Sequence, residues 1–261
     1  MLIDVHCHLT GEEYVTVGGM EEVIDRAKRE GVTRMICSGF DVESSLQAKV
    51  LSETYEEIYF CAGFHPGELG HYREGDLKEL RKLCRHEKCV AVGEIGLDYH
   101  FEDNPEPKLQ RELFVRQLEL ANEEGLPVVL HSRDAAQETL EILKENASLL
   151  KKGGLMHCYS YSPEMTADFL GLGLSFSFGG PSTFKNAKKV VESVRHIPAH
   201  RLLSETDCPY LTPTPFRGVF PNEPKNVRYV VENFATIRNE NEEELKNVLL
   251  ENAKRLFFKL R

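Results

Sequence analysis

The sequence predicts an α/β fold, a (β/α)8 TIM barrel built as a single domain over residues 1–261. Three observations predict it. Short apolar runs of strand type alternate along the chain with stretches whose apolar residues repeat at helical spacing, the pattern of parallel strands joined by helical crossovers. At 261 residues, with 41% hydrophobic residues, the chain has the size of such a barrel, which typically takes about 250. An open doubly wound sheet calls instead for a Gly-rich phosphate loop after the first strand, and histidines stand there.

Leu2, Ile3 and Val5 make the first strand, and because residues i and i+2 share a strand face, His6 and His8 point the same way. Two imidazoles aimed into one volume suit a divalent metal; taken alone, ordinary hydrogen bonds would satisfy the same pair. Met20, Val23, Ile24 and Ala27 give a helix with one buried face, ended by Gly31. Met35 to Cys37 is the second strand, Glu43 to Glu53 a helix, and Ile58 to Phe64 the third strand, followed by His65 and Pro66. A helix over Asp76 to Arg85 leads to a fourth strand, Val90 to Val92, which runs into Gly93, Glu94, Ile95, Gly96, Leu97 and Asp98. After Pro105 and Pro107 a helix carries Leu109, Leu113, Leu118 and Ala121 on one face. Pro127 to Leu130 is the fifth strand with His131 at its end, and Asp134 stands where it can cap the next helix.

Leu155 and Met156 belong to the sixth strand, with His157 at its end, and Ser162 and Pro163 open a helix. Leu174 to Phe178 is the seventh strand. Leu202 and Leu203 make the eighth, which delivers Glu205, Thr206 and Asp207. Helices with Val227, Val230, Val231 and Phe234, and with Leu245, Val248, Leu249, Leu256 and Phe257, close the chain. The pattern shows no linker and no repeat.

Seven cysteines without a C-x-x-C pair suit a reducing, cytoplasmic compartment and argue against a zinc ribbon. The first strand starts just after the initiator Met, leaving no room for a signal peptide, and no apolar run approaches a membrane span. No obligate protein partner is evident. A net charge of −10 repels polyanions at long range, so any nucleic-acid chemistry depends on local positive charge.

His6, His8, Glu94, His131, His157 and Asp207 all fall at the C-terminal ends of expected strands, the ends that surround the mouth of a barrel, where active sites are built. Four imidazoles and two carboxylates suffice for two divalent cations with one carboxylate shared. Glu205 and Asp207, two apart on an extended segment, both face inward while Thr206 and Cys208 face out. Asp207 reads as ligand and proton acceptor. Glu205 takes part in proton transfer, orients a ligand, or makes a plain hydrogen bond. His65 and Arg133 are the groups best placed to hold an anionic substrate, although a pairing within the loop His65 to Glu68 would also account for His65. Arg217 is a weaker candidate, since loop arginines are mostly solvated, and Asp98 and Tyr99 shape the fourth loop or contact substrate.

With these residues in hand, the chain resembles the TatD family of metal-dependent hydrolases, within the amidohydrolase-like barrels. The resemblance rests on DVHCHL at Asp4 to Leu9, GFHP at Gly63 to Pro66, VGEIGLDY at Val92 to Tyr99 and PVVLHSRDA at Pro127 to Ala135. It continues with HCYS at His157 to Ser160, SETDCPYLTP at Ser204 to Pro213, RG at Arg217, NEP at Asn222 and NAKRLF at Asn252 to Phe257. It implies two divalent cations, magnesium, manganese or zinc, one held by His6, His8 and Asp207, the other by His131 and His157, with Glu94 shared. Thr10, Tyr159 and Tyr161 depart from the family pattern beside the mouth and bear on substrate detail.

The expected activity is a deoxyribonuclease, a phosphodiesterase in which hydroxide activated by two divalent metal ions attacks phosphorus and Asp207 accepts the proton. With no basic track evident for a long duplex, the expected substrate is a DNA end or a single strand, cut exonucleolytically. The alternative is a carboxyl-ester or amide hydrolase, such as a D-aminoacyl-tRNA deacylase, since the ligand set does not separate carbon from phosphorus electrophiles. A nucleic-acid-binding module without catalysis would call for a basic face with interleaved aromatics and would not need six metal-type residues.

Overall fold

A computed structural model describes residues 1–260 of the chain. Eight parallel strands alternate with helices in one sheet of order β1-β2-β3-β4-β5-β6-β7-β8, the (β/α)8 barrel. The strands are β1 Leu2–Cys7, β2 Val32–Ser38, β3 Ile58–Ala62, β4 Cys89–Asp98, β5 Val128–Arg133, β6 Gly154–Met156, β7 Ser175–Phe178 and β8 Leu202–Ser204. The helices are α1 Gly19–Arg29, α2 Val42–Thr54, α3 Asp76–Cys84, α4 Pro107–Glu124, α5 Ala136–Glu145, α6 Pro163–Gly171, α7 Lys188–His196, α8 Val227–Arg238 and α9 Glu242–Leu256. Among the described residues no helix is long and apolar enough to cross a membrane. The chain divides into two compact units.

The first unit comprises Met1–Cys37, His157–Thr166 and Phe176–Arg255. Here β1 pairs with β2 from Leu2↔Val32 to Cys7↔Cys37, and β7 pairs with β8 from Phe176↔Leu202 to Phe178↔Ser204. The chain beyond β8 is joined to β1 by the Asp207 amide on the His6 carbonyl (3.0 Å) and the His8 amide on the Cys208 carbonyl (2.7 Å). The buried Asp4 carboxylate accepts from the Thr206 amide (2.9 Å) and hydroxyl (2.5 Å), so the segment after β8 is locked to β1. Val23, Ile24 and Ala27 of α1 and Val230, Val231 and Phe234 of α8 bury the faces their spacing demands.

The second unit comprises Ser38–Met156, Ala167–Ser175 and the chain from Leu256 onward. Its strands pair β3 with β4 (Ala62↔Val92), β4 with β5 (Gly96↔His131, Asp98↔Arg133) and β5 with β6 (Leu130↔Met156). Helix α4 fastens two strand ends with polar side chains at positions 110 and 117, seven apart and so on one helix face. Gln117 accepts from the Phe64 amide (2.7 Å) and donates to the Phe64 carbonyl (3.1 Å). Gln110 does the same for Asp98 (2.9 and 3.0 Å). Each buried amide thus satisfies both backbone groups of a residue at the edge of regular structure.

Several local expectations change. Strand β4 does not stop at Val92 but continues through Gly93–Gly96 to Asp98, and β5 contains His131 rather than ending before it. Gly96 is what permits this: its φ is +146°, and a Cβ there would lie 1.9 Å from the His131 carbonyl oxygen. Asp134 does not cap α5; its backbone is left-handed (φ 52°), its carboxylate pairs with His100 Nδ1 at 2.8 Å, and Ala135 occupies the cap position. Helix α7, Lys188–His196, is an addition, since its nine residues hold two adjacent β-branched valines and too short a stripe to stand out. The segment after β8 is not extended through Asp207, whose φ is 54°, so alternation ends there, and Thr206 and Cys208 are both fully buried. Tyr159 lies in the core, its ring 5.0 Å from that of Phe176.

Candidate metal centre

In the first unit, β1 carries His6 as its penultimate residue and His8 just beyond, and the turn after β8 brings Asp207 to them. The Nε2 atoms of His6 and His8 lie 3.2 Å apart, and each is 3.5 Å from the same Asp207 oxygen, Oδ1. His157, at the end of β6, stacks on His6 with ring centroids 3.8 Å apart. His6 is fully buried, while the side chains of His8 and Asp207 keep 15% of their surface open to solvent. Burial acts to raise the Asp207 carboxyl, but His8, His6 and His157 outweigh it and hold the group below the usual carboxylate range.

Glu205 sits behind this group. It is fully buried, with Oε1 accepting from the Cys158 amide (2.6 Å), Oε2 from the Ser177 hydroxyl (2.5 Å), and His157 Nδ1 at 3.9 Å. Burial pushes its carboxyl up to about 8 against the pull of His157. Burial likewise raises Asp4 to about 7 against the Thr206 hydrogen bonds. Spacing alone assigned no role to Asp4, although it stands two residues before His6 and therefore on the same strand face.

The second unit holds a cluster of its own. His131 on β5 lies between two carboxylates of β4, with Nδ1 2.8 Å from Glu94 and Nε2 3.0 Å from Asp98. His65 reaches the same Glu94 oxygen at 3.6 Å, and its ring meets that of His131 edge-on at 4.4 Å. His65 Nδ1 also accepts from the Gly67 amide (3.0 Å), which fixes the ring at the start of the turn it caps. Burial tends to raise Asp98, but His131 and the His100 amide leave it below its ordinary value. Asp98 therefore shares the cluster of His65 and His131 rather than only shaping the loop, whereas Tyr99 turns away to donate to Glu138 (2.6 Å). Arg133 is exposed and lies over the Phe101 ring at 4.9 Å, outside this cluster.

The donor sets suit divalent cations. Neutral imidazoles have no reason to present Nε2 atoms at 3.2 Å to one another beside a carboxylate unless a proton or a cation lies between them, and nitrogen with oxygen donors suits zinc or manganese, with carboxylates also serving magnesium. The groups His6, His8, Asp207 and His65, Asp98, His131 each bring three such atoms within 4.8 Å of one another.

Comparison with known proteins agrees with this chemistry. The family model described as TatD related DNase matches residues 3–258. The chain belongs to the TatD family. Among its relatives, the uncharacterized metal-dependent hydrolase YabD of Bacillus subtilis (strain 168) is 46% identical over 98% of this chain and 99% of its own length. The uncharacterized metal-dependent hydrolase YcfH of Escherichia coli (strain K12) is 36% identical over 98% of this chain and 95% of its own. The crystal structure of YjjV, a TatD homolog from Escherichia coli K12, superposes with a TM-score of 0.92 at 33% identity, covering 98% of both chains. This TatD-family chain is accordingly a metal-dependent hydrolase with a TIM-barrel fold.

Proposed function

We propose that this TatD-family hydrolase is a phosphodiesterase of deoxyribonuclease type, acting exonucleolytically on DNA ends or single strands, with residues 1–261 working as one catalytic domain in the cytoplasm. The observation that carries the reading is the convergence of His6, His8 and Asp207 in a triangle of donor atoms 3.2 to 3.5 Å apart, in a chain whose family description is a DNase. Seven free cysteines are in keeping with a reducing compartment.

His6, His8 and Asp207 would hold one divalent cation, and His131 and His157 a second, with Glu94 shared between them. The chemistry such cations supply when bound is Lewis-acid polarisation of the phosphoryl group and a lowered pKa for water. Asp207 Oδ is the proton acceptor: its carboxylate is solvent-accessible and kept ionised by the neighbouring imidazoles. His65 and Arg133 hold the substrate phosphate, Arg133 as the exposed cation two residues beyond His131 on the same strand. Glu205 serves as a positioning residue, holding the backbone after His157 through the Cys158 amide. Asp98 orients His131 in the same manner.

The test is an end-labelled single-stranded DNA, with protein stripped by chelator and then titrated with magnesium, manganese or zinc, and Glu94→Ala run in parallel. Stepwise loss of nucleotides from one end, dependent on metal and absent in the variant, is expected. Hydrolysis of a carboxyl ester but of no phosphodiester under any metal would overturn the nuclease reading in favour of an ester or amide hydrolase.

A further inference from the structure

The net charge of −10 is unevenly spread. Residues 179–191 contain Lys185, Lys188 and Lys189 and no carboxylate, and residues 208–222 contain Arg217 and no carboxylate. These stretches follow β7 and β8 within the first unit and are fastened together. The Thr214 amide donates to the Thr183 hydroxyl (2.9 Å), and the Arg217 guanidinium lies 4.1 Å over the Phe184 ring. The carboxylates bordering them are engaged: Glu192 pairs with Arg195 at 2.8 Å, Glu223 with Arg26 at 2.7 Å, and Glu232 with Arg228 at 3.2 Å.

The loop from Cys208 to Asn222 also exposes apolar surface that a soluble chain normally covers. Tyr210 is 58% and Phe220 62% exposed, with ring centroids 6.3 Å apart and planes inclined by 40°. They are not loose. Asn222, fully buried, donates to the carbonyls of Tyr210 (2.7 Å) and Thr206 (3.2 Å), its amide donates to the Pro209 carbonyl (2.8 Å), and the Thr212 hydroxyl donates to the Val219 carbonyl (2.5 Å). The loop is tied into a compact unit that holds two aromatic faces toward solvent. The Tyr210 amide donates to the Asp207 carbonyl (3.1 Å), so the backbone of Tyr210 lies one turn beyond that of Asp207.

We propose that this face is a docking platform for single-stranded nucleic acid, in which unpaired bases stack on Tyr210 and Phe220 while the phosphates pass Arg217, Lys185 and Lys188. Hydrogen-bonded aromatics on a loop that also carries Arg217 and is tied to a second stretch carrying Lys185 and Lys188, with no carboxylate in either stretch, are a combination that binds unpaired strands irrespective of sequence, since every base has a π face. A duplex offers only its terminal pair to such rings, so the platform selects frayed ends and single strands. The choice of nucleic acid as occupant rests on the phosphodiesterase reading, and the local charge supports it independently.

The experiment is fluorescence anisotropy of a labelled oligonucleotide of about twelve nucleotides with the full chain in chelator, over a salt series. Tyr210→Ala/Phe220→Ala is expected to weaken binding roughly 5- to 100-fold, and an abasic strand of equal charge should bind the unaltered protein about as weakly. Arg217→Gln should flatten the salt dependence by about one counterion. Both rings are exposed, so melting temperatures matching the unaltered protein check the fold of the variants. Equal affinity of the double variant, or of the abasic strand, overturns the proposal. So does a change from dimer to monomer on sedimentation with DNA binding intact, which would make the face a contact between two copies of the chain. Turnover of a small phosphodiester by the unaltered protein is measured separately. Turnover without ring-dependent binding rejects the platform and keeps the nuclease reading, while ring-dependent binding without turnover keeps the platform and rejects that reading.

Discussion

At Asp207 the backbone leaves the strand conformation (φ 54°), which swings one carboxylate oxygen to within 3.5 Å of two imidazole nitrogens. Asp207→Asn keeps the size and loses the charge. We expect the rate on labelled DNA to fall by about 10²–10⁴-fold, the range associated with losing a general base. A metal titration separates the two duties of the residue: activity regained at high metal means a ligand was lost, and activity not regained means the proton acceptor was lost. A rate within about tenfold of the unaltered protein would remove Asp207 from the chemistry. The histidines were legible because their positions repeat at strand ends. Asp98 was not, because Gly93 and Gly96 read as breakers, which truncates β4 at Val92. With the strand carried to Asp98, the period of two puts Glu94 and Asp98 on one face, where His131 meets both.

At the scale of elements, strand ends are placed by helices through polar contacts that apolar periodicity does not reveal. Helix α4 reads in sequence as an amphipathic stripe, and its buried leucines bear that out, yet Gln110 and Gln117 are as buried as Leu113 and Leu118. Gln117→Leu leaves the amide and carbonyl of Phe64 without their partner beneath His65. The expected cost is about 1–3 kcal/mol, a fall in Tm of about 2–10 °C on thermal denaturation. An unchanged Tm would mean that the Phe64 backbone finds another partner. Between α3 and α4, Arg85 chiefly, and Arg81, hold the Glu124 carboxyl below its ordinary 4.5. A depressed carboxyl contributes stability above pH 4.5 and loses it as the pH falls through the lower folded value. Glu124→Gln should therefore lower Tm slightly at pH 7, and the difference should shrink as the pH is taken progressively below 4.5. The effect stays small because Arg85 is 64% exposed and screened, and added salt should shrink it.

For the molecule as a whole, the two clusters gather carboxylates and imidazoles at the C-terminal ends of the strands, and that gathering is costly without cations to offset it. Length, alternation and the missing Gly-rich loop were enough to read the barrel, because each is a property of the whole chain. Pairings such as His65 with Glu94 and His131 were not legible, because they depend on strand register rather than on spacing. If cations bind the folded chain and not the unfolded one, each ion at about 100 times its dissociation constant adds about 2.7 kcal/mol of stability. For a chain of this length that corresponds to a rise in Tm of about 5–10 °C per ion. Scanning chelator-treated protein against manganese, zinc or magnesium, with potassium at matched ionic strength as the control, measures this without reference to any substrate. Asp207→Asn should lose the part of the rise owed to the His6 and His8 side, and His131→Ala the part owed to the other. A Tm that does not respond to any of the three metals would mean that hydrogen bonds alone hold these clusters, and that the hydrolase takes its metal, if at all, only together with substrate.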